Sequence, residues 1–177
     1  MSSSMKTENL QNSTECKLTC DFEILRRSPV FSGIDTDVVK LFAYLAKRKK
    51  YKKDQAVISL DADAAEAFYL ISGSARVSTL HDGKECVLQG LGPGTFFGEL
   101  ALLARFNWFF NVFAEEESDI MIITRESFKK VLDNFPQHRE KLVEKIVQLR
   151  VERLIDQTSF LLDKVPDNLL VEGSPSI

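Results

Sequence analysis

Histidine and cysteine are scarce: the chain has two histidines, His81 and His138, and three cysteines, Cys16, Cys20 and Cys86, in 177 residues. A metal centre needs several such ligands converging on one ion. His81 falls in a hairpin turn and His138 opens a long helix, so both read as solvated and no metal ligand is assigned. An odd and sparse set of cysteines, two of them at the C-x-x-x-C spacing of Cys16 and Cys20, suits a disulfide framework poorly and fits free thiols in a reducing compartment. Cys86, in mid-strand, reads as a buried and inert thiol. Long apolar runs are missing as well. No stretch approaches the ~20 residues of a spanning helix, and the N-terminus lacks the apolar core of a secretory signal. The expected location is the cytoplasm, with no membrane partner. Excess positive charge is also absent: 23 Lys and Arg against 26 Asp and Glu leave a net −3, which offers DNA no general attraction. No Ser/His/Asp or Cys/His nucleophile pattern stands out, so no catalytic residue is assigned and the chain reads as a binding module, not an enzyme.

What is present is a hydrophobic fraction of 44% with 28% charged residues, enough for one well-buried domain with extensions. The polar segment 1–20 reads as a disordered tail, 21–162 as the folded domain, and 163–177 as a flexible tail. Within the domain, two short helical stretches flank the turn at Ser28-Pro29. The periodicity then changes to short strands rich in β-branched and aromatic residues: Ala56–Leu60, Ala67–Ile71, Ala75–Leu80, Cys86–Leu88 and Ile120–Ile123. Asp82-Gly83 marks a hairpin between two of them. The fold class is α+β, an antiparallel jelly-roll-like β-roll flanked by short N-terminal helices and one long C-terminal helix.

That last helix is predicted over 136–162 and carries two apolar stripes. Leu142, Ile146 and Leu149 form one, and Val143, Val147, Val151 and Leu154 the other. Two stripes call for two partners: the roll itself and the same helix of a second copy, which predicts a homodimer. The basic run Lys47–Lys53 reads as an edge strand protected by its lysines, with attraction to RNA, an acidic membrane surface or an acidic partner as the alternative. Glu115-Glu116-Glu117 reads as a solvated turn.

Chemistry concentrates in Pro93-Gly94-Thr95-Phe96-Phe97-Gly98-Glu99-Leu100-Ala101-Leu102-Leu103. Gly94 and Gly98 let the backbone turn tightly, and Glu99–Leu103 can begin a short helix whose exposed N–H groups favour an anion. Equally, the same residues can simply turn the chain and pack Leu100, Leu102 and Leu103 inward. This run resembles the phosphate-binding cassette of the cyclic nucleotide-binding domain family. Phe68–Val77 and Thr124–Leu132 resemble further blocks of that family in the same order, so that the likeness spans about 21–154. It implies a β-roll that binds a small ligand, with Glu99 accepting a ribose hydroxyl, and Gly98 and the amides of Leu100 and Ala101 facing a phosphate. It also places Trp108 where the family carries the arginine that clamps that phosphate.

The resemblance implies no cofactor beyond a cyclic nucleotide or another small ligand, and Trp108 argues against tight binding of cyclic AMP or cyclic GMP. An indole offers one N–H and no charge where the guanidinium supplies both. Arg105, the nearest cation, reads as a solvated residue. No winged helix-turn-helix is legible after the long helix, so DNA binding is not expected and output passes to an effector protein not identifiable from sequence. Two readings follow. In one, Val77, Leu88, Phe97, Gly98, Glu99, Leu100, Ala101, Trp108, Phe109 and Phe110 wall a ligand-sensing pocket. In the other, Trp108, Phe109 and Phe110 fill the pocket and leave a dimeric interaction scaffold.

Overall fold

The computed structural model describes residues 17–163; the expected tails up to residue 16 and from 164, with Cys16, lie outside the described residues. The first described element is a helix (α1) over residues 17–26. Residues 17–20, expected in the tail, belong to it because Leu18 packs against the core. After a 3-10 turn at Pro29–Phe31 comes α2 (Thr36–Leu45). Eight strands follow: β1 (Lys47–Tyr51), β2 (Ala56–Ile58), β3 (Glu66–Ser72), β4 (Ala75–His81), β5 (Lys84–Leu91), β6 (Phe96–Phe97), β7 (Asn111–Ala114) and β8 (Ser118–Thr124). The chain then closes with α3 (Arg125–Asn134) and α4 (Arg139–Leu162).

All strand pairs are antiparallel, in two four-stranded sheets ordered β1-β8-β3-β6 and β2-β7-β4-β5. The continuous apolar runs in β3 and β8 have a direct cause: both strands are covered on both faces. Phe68, Leu70, Ile120 and Ile122 face the second sheet, where they meet Ala75, Val112 and Ala114. Ala67, Tyr69, Met121 and Ile123 face the helices, against Phe42, Phe128, Leu142 and Ile146. Truncating a side chain such as Phe42, 1% exposed, costs about 3–5 kcal/mol.

The turns follow local chemistry. Asp82 (φ 51°) and Gly83 (φ 75°) both take the left-handed conformation that a two-residue β4–β5 hairpin requires. Thr124 caps α3, its hydroxyl accepting from the Ser127 N–H at 3.0 Å. Pro136 separates α3 from α4, and a 3-10 turn at Pro136–His138 precedes the α-helix proper, which starts three residues later than the sequence suggests.

Two readings of single residues are corrected. Cys86 is exposed, because β5 is the edge strand of its sheet and nearly all of it faces solvent. His138 is largely buried and pairs with Asp35 Oδ2 at 3.0 Å, fastening the start of α4 beside α2. The basic run forms β1, an edge strand joined only to β8, with Arg48 reaching Asp21 and Lys50 reaching Glu117.

Candidate functional site

Gly94 (φ 86°), ahead of β6, and Gly98 (φ 74°), after it, both adopt left-handed backbone, and at Gly98 this lets the chain leave β6 and turn at once into the 3-10 turn Glu99–Leu102. At Gly98 there is also no room: an added Cβ would lie 3.1 Å from the Trp108 ring and 3.2 Å from the Glu66 carbonyl. The turn is too short to offer a row of free amides. The Ala101 N–H donates to the Gly98 carbonyl at 3.0 Å, and the Ala101 side chain is fully buried. Ala101 is therefore withdrawn from the site, as is Phe97, which stacks on Phe68 at 5.3 Å in the core between the sheets.

Arg125, the first residue of α3, supports this turn from behind. Its guanidinium donates to the Ala101 and Ala104 carbonyls, each at 2.6 Å, and to the Ala64 carbonyl. Sequence reasoning passed over Arg125, although it lies within the Thr124–Leu132 block.

Trp108 points inward. Its backbone N–H donates to the Ala62 carbonyl at 2.9 Å and its backbone carbonyl accepts from the Asp61 N–H at 2.7 Å, so the loop is stitched to the segment after β2, and the indole lies over Gly98. Phe106 meets the indole edge-on at 5.2 Å, and Phe110 lies tilted at 5.4 Å. Phe109 stays two-thirds exposed, its ring edge against Phe110.

The inward indole leaves space. A cavity of about 300 Å³ lies between the aromatic cluster, the Gly98-Glu99-Leu100 turn, Val77 and Leu88 of the second sheet, and α4. Of the residues expected at the site, the structure brings Val77, Leu88, Gly98, Glu99, Leu100, Trp108, Phe109 and Phe110 to its walls. It adds three that were not foreseen, Arg150, Arg153 and Gln157 of α4. Their spacing of three and four residues puts them on one helical face, a pattern that passes for solvated charge in the sequence. Arg153 Nη1 donates to Glu99 Oε2 at 3.0 Å, and its Nη2 to the Phe96 carbonyl. Glu99 is buried, so this ion pair takes up the charge of the one carboxylate on the cavity wall.

On α4 the two apolar stripes separate. Leu142 and Ile146 are fully buried and Leu149 packs on the same core, while Val143 is half-buried and Val147, Val151 and Leu154 are exposed. No helix among the described residues is long and apolar enough to cross a membrane.

Residues 48–135 match the family model of the cyclic nucleotide-binding domain. The chain is 29% identical over 114 residues to the cyclic AMP receptor protein of Thermus thermophilus, a match covering 63% of this chain and 52% of that protein. It thus spans about half the length of that relative. Among solved structures, a cyclic nucleotide-binding domain from Methylobacillus flagellatus superposes with a TM-score of 0.73 at 16% identity, over 86% of both chains. The Thermus thermophilus catabolite activator protein superposes with a TM-score of 0.63 at 25% identity, over 77% of this chain and 62% of that one. By sequence and by fold alike, the chain belongs to the cyclic nucleotide-binding domain family.

Proposed function

We propose that this domain is a regulatory sensor whose small ligand enters the cavity between the glycine-rich turn and α4, and whose output is the position of α4. The carrying observation is that α4 supplies one wall of the cavity and is tied there by Arg153 to Glu99 of the glycine-rich turn. A ligand that fills the space or takes over Glu99 changes the free energy of that contact, and so of the helix.

Tight binding of cyclic AMP or cyclic GMP is not part of this role. The position that the family resemblance assigns to a phosphate-clamping arginine is occupied by Trp108, packed over Gly98. A missing charge-assisted bidentate pair corresponds to about a hundredfold or more in affinity. Calorimetry with both cyclic nucleotides should therefore show no micromolar binding, and a constant of that size for either would overturn this part of the reading.

The outward stripe of α4 supports a homodimer in which two copies of that helix pair. Val147, Val151, Leu154 and Ile155 are each about half exposed on consecutive turns, an apolar band that a second copy of the helix would cover. Ligand-dependent repositioning of α4 then acts on the pairing and, through it, on an effector protein.

A further inference from the structure

Resting on the sensing role proposed above, we infer that the cavity selects a compact aromatic carboxylate whose charge is held by Arg150 of α4 and whose ring lies against Trp108 and Phe110. Two guanidiniums and one carboxylate line the cavity. Arg153 and Glu99 satisfy each other at 3.0 Å. Arg150 is half-buried in the wall and, among the described residues, makes no hydrogen bond or ion pair. One positive charge is thus left without a counterpart in a partly desolvated space, where a guanidinium gains most from a planar, two-oxygen acceptor.

The remaining walls specify the body of the ligand. Trp108 and Phe110 present ring surface, and Phe109 stands exposed at the edge of the same cluster. A flat apolar ring finds complementary surface there. A sugar finds less: the one carboxylate on the wall is already engaged by Arg153, which leaves the Gln89 and Gln157 amides as the neutral polar side chains there. A neutral aromatic leaves Arg150 unpaired, and an aromatic cation meets a cavity of its own sign.

The test uses 1-naphthoate, its neutral isostere 1-naphthamide, and cyclic AMP, titrated into the full chain while Trp108 fluorescence and the melting temperature are followed. Arg150→Gln and Arg150→Lys are the variants, each checked for unchanged circular dichroism. Naphthoate should bind at least about tenfold more tightly than naphthamide. That ratio should collapse in Arg150→Gln, persist largely in Arg150→Lys, and shrink with added salt. Equal binding of acid and amide, or a preference that survives Arg150→Gln, overturns the assignment while leaving a ligand-binding cavity in place. Cyclic AMP binding more tightly than naphthoate, and undiminished in Arg150→Gln, overturns it in favour of an anion held at the glycine-rich turn. If neither naphthalene perturbs Trp108 or the melting temperature, the assignment falls, and if cyclic AMP is silent as well the open sensor cavity falls with it.

Discussion

Arg153 and Glu99 lie 54 residues apart in the chain and meet at 3.0 Å, a guanidinium from the closing helix against a carboxylate in the glycine-rich turn. The family resemblance gives that carboxylate to a sugar hydroxyl; in this structure a cation from α4 occupies it instead. Replacing Arg153 by Met strands a buried carboxylate, which costs about 3–5 kcal/mol. Amide exchange should accelerate in 139–162 more than in β3 and β8. Unchanged protection in α4 would mean that the pair does not hold the helix.

Trp108 is the only tryptophan in the chain, so tryptophan emission reports one site. With the indole 6% exposed among Phe106, Phe110 and Gly98, emission should be blue-shifted and acrylamide should quench it poorly. Trp108→Ala should destabilise the fold by about 3–5 kcal/mol in urea unfolding. Emission typical of a solvated indole, or a neutral substitution, would contradict the inward placement.

Sedimentation velocity tests the outward stripe of α4. At micromolar concentration the protein should run as a dimer, and Val151→Glu should convert it to a folded monomer. Val151 is 47% exposed in one copy, so the charge is tolerated by the monomer and repelled by its pair. A wild-type monomer at every concentration would remove the homodimer.

Asp21 provides a test in pH. Burial pushes its carboxyl above the ordinary 3.8, and the Arg48 guanidinium, with Nε at 3.0 Å, only partly offsets that. A carboxyl that ionises less readily folded than unfolded contributes stability that is fully present below the unfolded value and is lost as pH rises through the folded one. Asp21→Asn removes this dependence. The stability of the variant minus that of the wild type should rise as pH increases from about 3.5 and then level off. A difference that is flat or falls with pH would show that Arg48 outweighs burial.

The sequence made the β-roll and most of its strands readable, because β3 and β8 announce their double burial as unbroken apolar runs and Asp82-Gly83 announces its hairpin, whereas β6 and β7, only two and four residues long, went unread. It also separated the stripes of α4 correctly into Leu142 and Ile146 on one side and Val147 and Val151 on the other. What it hid depends on contacts across the chain. Cys86 reads as buried until β5 is known to be an edge strand. The direction of Trp108 is set by backbone bonds to Asp61 and Ala62, some 46 residues earlier by the numbering. Arg150 and Arg153 look like ordinary helix charge until the helix is laid across the cavity.

Arg125 gives the domain its mechanical character. One guanidinium at the head of α3 rivets three carbonyls drawn from two separate loops, those of Ala64, Ala101 and Ala104. The glycine-rich turn and α3 therefore travel as a single rigid part, with no slack between them to absorb a displacement. A swing of the closing segment would then bear on the next joint, Phe135 to His138, where Pro136 interrupts the helical hydrogen bonding and the His138–Asp35 pair would have to yield.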